Sequence, residues 1–474
     1  MGTHESAVVS TEENSAPQRI SSDAITNAAL TSESLILISR RPTERRDRRY
    51  VNAYLSILGV MILLSLMTSR GVMSSRFILL DEEGSWTSMV MIATLMGSFI
   101  GIFLCLFIYS HDLREQLFSA SLMVSICLQL GLAGIIFISD EWWALGAICI
   151  SSAFIDSIKF RKARKYMTIV ISLIDTAIDV NAQFGYSISA FCVIICFIQS
   201  CFLLWWSAVF VRLMGRDVDF LFVILLIVFG ISFYWTIQFF HSLISSVVEG
   251  CFLWYFLDND NSPNVLAEVD STALAQRNRR VLLYAQCAMT SSLGSVIKSA
   301  VWGPLSHIVL VSLHWSRERD PFGSPLNSWS RELLEKMLSP WEGLAGKYNR
   351  LATGYVIIFG QTFCRAAAEV SREDISGIVL DDTTSYTLKM VTTSTAGVVA
   401  ILLAILGSRD EGTSWPMFVV VCFLLAYAGV SLALHAFRSG VDALIIAYSD
   451  SPQKFEHMNS IIFHRFMRTT EIPQ

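Results

Sequence analysis

Between Phe220 and Phe256 the chain runs 37 residues with a single formal charge, Glu249. At ~1.5 Å per residue, a helix of that length reaches roughly 55 Å, well beyond one hydrocarbon layer of ~30 Å. In lipid the backbone must satisfy its own polar groups, so such a stretch folds as helix. It is expected as two helices, or as one span that breaks and continues.

The same pattern repeats along the sequence. Of 474 residues, 53% are apolar and 16% are charged, where soluble domains carry about a quarter charged. The charges sit in short blocks between apolar stretches. Further spans are expected at 51–69, 88–110, 116–139, 142–158, 187–211, 281–313, 351–370, 387–407 and 415–437. The fold class is all-α: a polytopic integral membrane protein with about ten transmembrane helices.

The flanks differ from this body. Residues 1–35 are rich in Ser, Thr, Ala, Asn and Glu and lack aromatics, which reads as disorder. Residues 1–49 are expected as a disordered cytosolic tail, 50–438 as the transmembrane transport domain and 439–474 as a C-terminal tail. Arg40, Arg41, Arg45, Arg46, Arg48 and Arg49 precede the first span and place the N-terminus in the cytosol. Lys159, Arg161, Lys162, Arg164 and Lys165 follow the fourth span and mark the same side. Basic residues flank 281–313 at both ends, so the rule assigns no side there.

After the second basic block, Thr168, Ser172, Asp175 and Asp179 recur at helical spacing opposite Met167, Ile171, Ile174 and Ile178. Residues 166–183 are expected as an amphipathic helix on the cytosolic surface, with both carboxylates solvated.

Several chemistries are not expected. The ten cysteines lie in or beside apolar stretches, with no CxxC pair and no histidine at zinc spacing. No HExxH, G-x-S-x-G or Walker A segment occurs, so neither a catalytic site, a cofactor nor a metal is expected. The basic residues form juxtamembrane clusters rather than a stripe with aromatics, so no nucleic-acid partner is expected.

Polar residues inside spans carry the remaining chemistry. On a helix, Tyr234, Trp235, Gln238, His241, Ser242, Ser245, Ser246 and Glu249 fall within an arc of roughly 140°. Two readings are open. One is a translocation path, with Glu249 and His241 as ionisable members and Tyr234, Trp235, Trp254 and Tyr255 as aromatic walls. The other is a polar seam joining helices. A costly intramembrane carboxylate favours the path. The 354–370 span also carries Tyr355, Gly360, Gln361, Thr362, Cys364, Arg365 and Glu369. Arg365 and Glu369, four apart near the span's end, are expected to snorkel.

Four segments, in order, resemble one family, the choline transporter-like proteins, including their fungal members. Tyr234-Trp235-Thr236 with Gln238, Gly250 and Trp254-Tyr255-Phe256 is similar to the family's central segment. Ser292-Leu293-Gly294-Ser295 resembles its Phe-Gly-Ser helix start. Tyr355, Gly360, Phe363 and Cys364 resemble its Tyr…Gly…Phe-Cys span. Ser439-Gly440-Val441-Asp442, with Asp450 and Pro452, resembles its C-terminal motif. The likeness runs from about Arg161 to Phe466. It implies a ten-span carrier of choline or ethanolamine with both termini cytosolic and a short first external loop.

The chain departs from the family at Ser242 and Ser245, where Asn and His are usual, and at Glu249, where a small residue is usual. A quaternary ammonium is held by aromatic faces with a carboxylate near. Tyr234, Trp235, Gln238, His241, Ser245, Glu249, Trp254 and Tyr255 are therefore the expected substrate-binding residues. The expected function is secondary transport of choline or a similar small cation, with the lipid bilayer as the other partner and the plasma membrane as the location. The alternative is a non-transporting membrane scaffold or receptor-like protein.

Overall fold

A computed structural model describes residues 47–70, 82–138, 143–214, 220–258, 271–317, 332–333, 335–341, 350–370, 376–407, 415–450 and 456. Among these residues every regular element is helical. In chain order they are α1 (Arg48–Arg70), α2 (Glu82–Tyr109), α3 (His111–Ile138), α4 (Trp143–Gln183), α5 (Ser187–Met214) and α6 (Phe220–Asp258). There follow α7 (Ser271–Met289), α8 (Leu293–Arg317), the 3-10 turn η1 (Arg350–Ala352), α9 (Thr353–Ile358), α10 (Phe363–Val370), α11 (Ser376–Gly407) and α12 (Trp415–Asp450). The expected tail at 1–35 and the segment after Asp450 lie outside the described residues, apart from residue 456.

Five helices contain an apolar stretch of membrane-spanning length: Ser88–Tyr109, Ser187–Val211, Val223–Phe256, Thr383–Leu406 and Phe418–Tyr448. The other expected spans fall on α1, α3, α4, the α7–α8 pair and the η1–α10 segment. The chain is an all-α, multi-pass membrane protein.

α12 is the hub, packed against α2, α6 and α11. Its contact with α2 is backbone on backbone. A Cβ at Gly97 would lie 2.5 Å from Ala426 Cα, and one at Gly429 would lie 2.7 Å from the Ser98 nitrogen. Gly97 and Gly101 stand four apart on α2, the small-residue spacing that lets membrane helices approach closely. Cys105 on α2 donates to the Ala433 carbonyl at 3.3 Å, and Gln199 on α5 donates to that of Ala428 at 2.8 Å. The apolar core runs on through α5, α6 and α11.

Besides the 351–370 segment described below, four boundaries differ from expectation, each for a physical reason. First, α6 neither breaks nor divides: it is one 39-residue helix. Exposed Val223, Ile224, Ile227, Ile231 and Tyr234 form a helical stripe along its first half. From Leu243 to Phe256 it is buried on every side, so protein rather than lipid covers the extra length. Second, residues 281–313 are not one span. α7 ends at Met289, and a turn at 290–292, closed by the Ser292 N–H on the Cys287 carbonyl at 3.0 Å, leads into α8. The helix start expected at Ser292–Ser295 is present.

Third, residues 166–183 are not a separate surface helix but the second half of α4. Val170, Leu173, Ile174 and Ala177 are buried there, with Ser172 and Thr176. Asp175 pairs with Arg114, which is 2% exposed and also donates to the Ile108 carbonyl at 2.7 Å. Of the two carboxylates, Asp179 is the exposed one. Fourth, α12 continues past 438, and Ser439 and Asp442 are buried within the bundle.

Candidate functional site

The middle of the polar arc of α6 faces α12, and there the two helices match rung for rung. Positions 241 and 245 on α6 meet 431, 435 and 439 on α12, all at four-residue spacing. The Ser431 hydroxyl lies 3.2 Å from His241 Nε2. The Ser245 hydroxyl lies 2.9 Å from His435 Nε2 and 2.9 Å from the Ser439 hydroxyl. The two imidazole rings stand 4.6 Å apart, tilted by 37°. On the flank, Ser242 accepts from the Ser299 hydroxyl of α8 at 3.1 Å.

The next rung, Glu249, meets a different element. It is 1% exposed, and its Oε2 accepts from the Gly354 N–H at 2.9 Å and from the Thr353 hydroxyl. Those groups open α9, whose N-cap, Ala352, has no side-chain oxygen to offer. Glu249 thus supplies from across the interface the acceptor that a helix start needs. The approach is tight: a Cβ at Gly354 would lie 2.9 Å from Glu249 Cβ and 2.7 Å from Leu253 Cδ1.

α9 is the first half of a broken span. The 351–370 segment was expected as one helix, but it stops at Ile358 and restarts at Phe363. Gly360 takes φ +59°, the left-handed conformation that ends helices and that side chains disfavour. Thr362 begins the second half, its carbonyl accepting from the N–H groups of Arg365 and Ala366. Tyr355 and Phe359 stand at the break, ring centroids 5.3 Å apart. The closing carbonyls of α9 carry partial negative charge beside those rings. The Glu369 side chain, and with it the expected Arg365–Glu369 arrangement, lies outside the described residues.

The expected aromatic cage does not close. On a continuous α6, Trp235 and Trp254 stand 19 residues apart, about 28 Å at ~1.5 Å per residue. Tyr234 is 44% exposed, on the outward stripe. Trp235 packs against Tyr54 of α1 at 5.7 Å, and Tyr54 donates to Thr236 at 3.4 Å. Gln238 is half-buried between these rings and the histidine rung. Trp254 and Tyr255 are buried at the far end, and their faces are already occupied. The Arg280 guanidinium lies 5.0 Å from the Trp254 ring centroid, and that of Arg277 lies 5.7 Å from the Tyr255 ring. The eight expected positions thus occupy separate levels. His241, Ser245 and Glu249 form one connected face.

The sequence reading missed the partners of that face. Ser431, His435 and Ser439 repeat the i, i+4 polar spacing of α6 inside another apolar run, a signal available without a structure. It also missed the role of Lys298. This buried side chain of α8 pairs with Asp47 at 3.2 Å, Asp47 accepts from Ser295 at 3.1 Å, and Trp302 Nε1 donates to the Tyr50 hydroxyl at 3.2 Å. The N-terminal end of α1 is thereby tied to the start of α8. Among the described residues no three His, Cys, Asp or Glu side chains gather as metal ligands.

A comparison of the sequence with curated proteins finds no match. A family model described as plasma-membrane choline transporter matches residues 147–453, from the start of α4 to just beyond α12. That stretch is well over half of the chain and contains the polar rungs, the broken span and Glu249. The chain therefore belongs to the choline transporter-like family of membrane transporters.

Proposed function

We propose that the protein is a secondary carrier of choline, or of a similar small organic cation such as ethanolamine, in the plasma membrane with its N-terminus in the cytosol. The observation that carries this reading is the interrupted span at 359–362, held to the polar face of α6 by Glu249. Discontinuous helices with polar neighbours are how membrane carriers present backbone groups to a solute within the bilayer.

In this reading Trp235, Gln238, His241, Ser245 and Glu249 line or support the path, and Tyr355 and Phe359 offer aromatic faces to the quaternary nitrogen. Glu249 acts by fixing α9, which aims the carbonyls at the break. Tyr234, Trp254 and Tyr255 drop out of the binding set. The transport domain extends from residue 50 through α12, beyond the expected limit at 438.

The test is uptake of labelled choline by proteoliposomes holding the purified full chain. Saturable uptake, competed by unlabelled choline, is the expected result. Its absence from correctly reconstituted protein removes the carrier reading. One observation favours the scaffold alternative: the seam hydroxyls and imidazoles bond to one another. A scaffold gives no uptake and no melting shift with choline, whereas a carrier gives both.

A further inference from the structure

The far end of α6 has the wrong sign for a cation. Arg277 and Arg280 stand three apart on α7, so both reach the same face. They lie over Tyr255 and Trp254, at the end of the apolar stretch Val223–Phe256. Arg277 Nη1 donates to the Gln183 carbonyl at 2.9 Å and to Gln183 Oε1 at 3.1 Å. That anchors its stem to the end of α4 and leaves the rest of its fork. Among the described residues neither arginine has a carboxylate partner. The Nε1–H of Trp254, on a side chain more than nine-tenths buried, has no acceptor either. Two guanidinium groups and an indole N–H thus gather at this end of α6, and the side-chain acceptor that meets Arg277, Gln183 Oε1, is already engaged.

We infer that Arg277, Arg280 and Trp254 form a binding site for the phosphate of an anionic phospholipid. Guanidinium forks match phosphate oxygens in pairs, and aromatic faces beneath them hold the planes in place. The cluster stands at the end of a stretch of membrane-spanning length, next to Tyr186, which is 90% exposed on the turn after α4 where a Cβ at Gly185 would meet Leu274 of α7. A guanidinium pair at that boundary lies at the level of lipid phosphates. Arg279, exposed on the outer face of α7, offers a control of equal charge. The site is independent of the transport reading, since nothing in it requires a translocated solute.

The test uses purified full-length protein in detergent, with thermal melting and native mass spectrometry as readouts. Three additions are compared: phosphatidylglycerol, phosphatidylcholine and inorganic phosphate. Phosphatidylglycerol is expected to raise the melting temperature and to persist as a bound adduct, unlike the other two. Arg280→Gln is expected to weaken that binding about tenfold, as loss of a charge-assisted contact does. Arg279→Gln is expected to leave it unchanged. Arg280→Lys, which keeps the charge and the fold but loses the fork, is expected to weaken it partially. Equal losses in Arg279→Gln and Arg280→Gln would overturn the site in favour of diffuse attraction. A shift produced by inorganic phosphate alone would overturn the lipid as its source, and no shift with any addition would overturn both.

Discussion

Two of the large contacts of α12 are built from opposite materials. Against α2 it meets backbone: Gly97, Gly101, Ala426 and Gly429 bring the main chains together, with only small side chains such as Ser98 and Ala433 alongside. Against α6 it meets hydroxyls and imidazoles: His241, Ser245, Ser431, His435 and Ser439. Close-packed backbone has one arrangement, because any shift opens voids or clashes. Hydrogen-bonded hydroxyls can trade partners with water or a solute at little cost. The α2–α12 contact therefore suits a fixed frame, and the α6–α12 contact suits a surface that parts and rejoins. A carrier needs both.

The sharpest way to break the comparison is to enlarge the frame. Gly97→Leu forces a side chain into Ala426 and is expected to cost about 4 kcal/mol or more, leaving little folded protein on size exclusion. Gly59→Leu serves as the control, because nothing lies within 4 Å of a Cβ there. Equal loss in both variants would mean that the frame is not where stability concentrates.

The clamp on the broken span comes next. Glu249→Ala removes the acceptor for Gly354 N–H and the Thr353 hydroxyl, at a cost of roughly 2–3 kcal/mol for buried groups left unsatisfied. Choline uptake is expected to be lost even at temperatures where the variant stays folded. Glu249→Gln keeps an oxygen but not the charge, and is expected to retain part of the stability while uptake falls. Unchanged uptake with an unchanged pH profile would separate Glu249 from transport.

Smaller again is the seam. Ser245→Ala removes two hydrogen bonds, and such bonds in membrane bundles average roughly 0.6 kcal/mol. Melting is expected to shift by a few degrees at most, while uptake drops several-fold. A melting loss as large as that of the frame variant, with uptake unaffected in the folded fraction, would make the seam structural glue.

Much of this contrast was legible in the sequence, and the misses have physical causes. The polar arc on α6 was legible because a 100° period needs no partner to be seen. Gly97 and Gly101 stood at the small-residue spacing, but spacing alone does not name the helix they face. The break at 359–362 was missed because Gly360 inside a helix pattern looks tolerable, and Gln361 and Thr362 pass as polar residues within a continuous span. α6 was expected to break because its length exceeds a bilayer, yet its second half is covered by protein. Once α6 is known to be continuous, plain arithmetic separates Trp235 from Trp254. Ser439 was left in a tail because the last span was ended by hydropathy at residue 437, where charged Arg438 follows. Burial, not hydropathy, carries α12 on to Asp450.

The smallest expected effects come from the two adjacent aromatics that the sequence treated as one unit. Tyr234 points along the exposed stripe of α6, so Tyr234→Phe removes a hydroxyl at the outer surface and is expected to change stability by less than about 0.5 kcal/mol, with uptake intact. Trp235 packs on Tyr54 instead, and its buried Nε1–H meets no acceptor among the described residues. Trp235→Phe keeps a ring against Tyr54 and discards an unsatisfied donor, so uptake is expected to stay close to that of the unmodified protein. Trp235→Ala empties the contact between α1 and α6 and is expected to lower uptake well below either. If Tyr234→Phe proved as damaging as Trp235→Ala, the outward face of α6 would belong to the path, and the division of its surface into a lipid stripe and a working face would have to be redrawn.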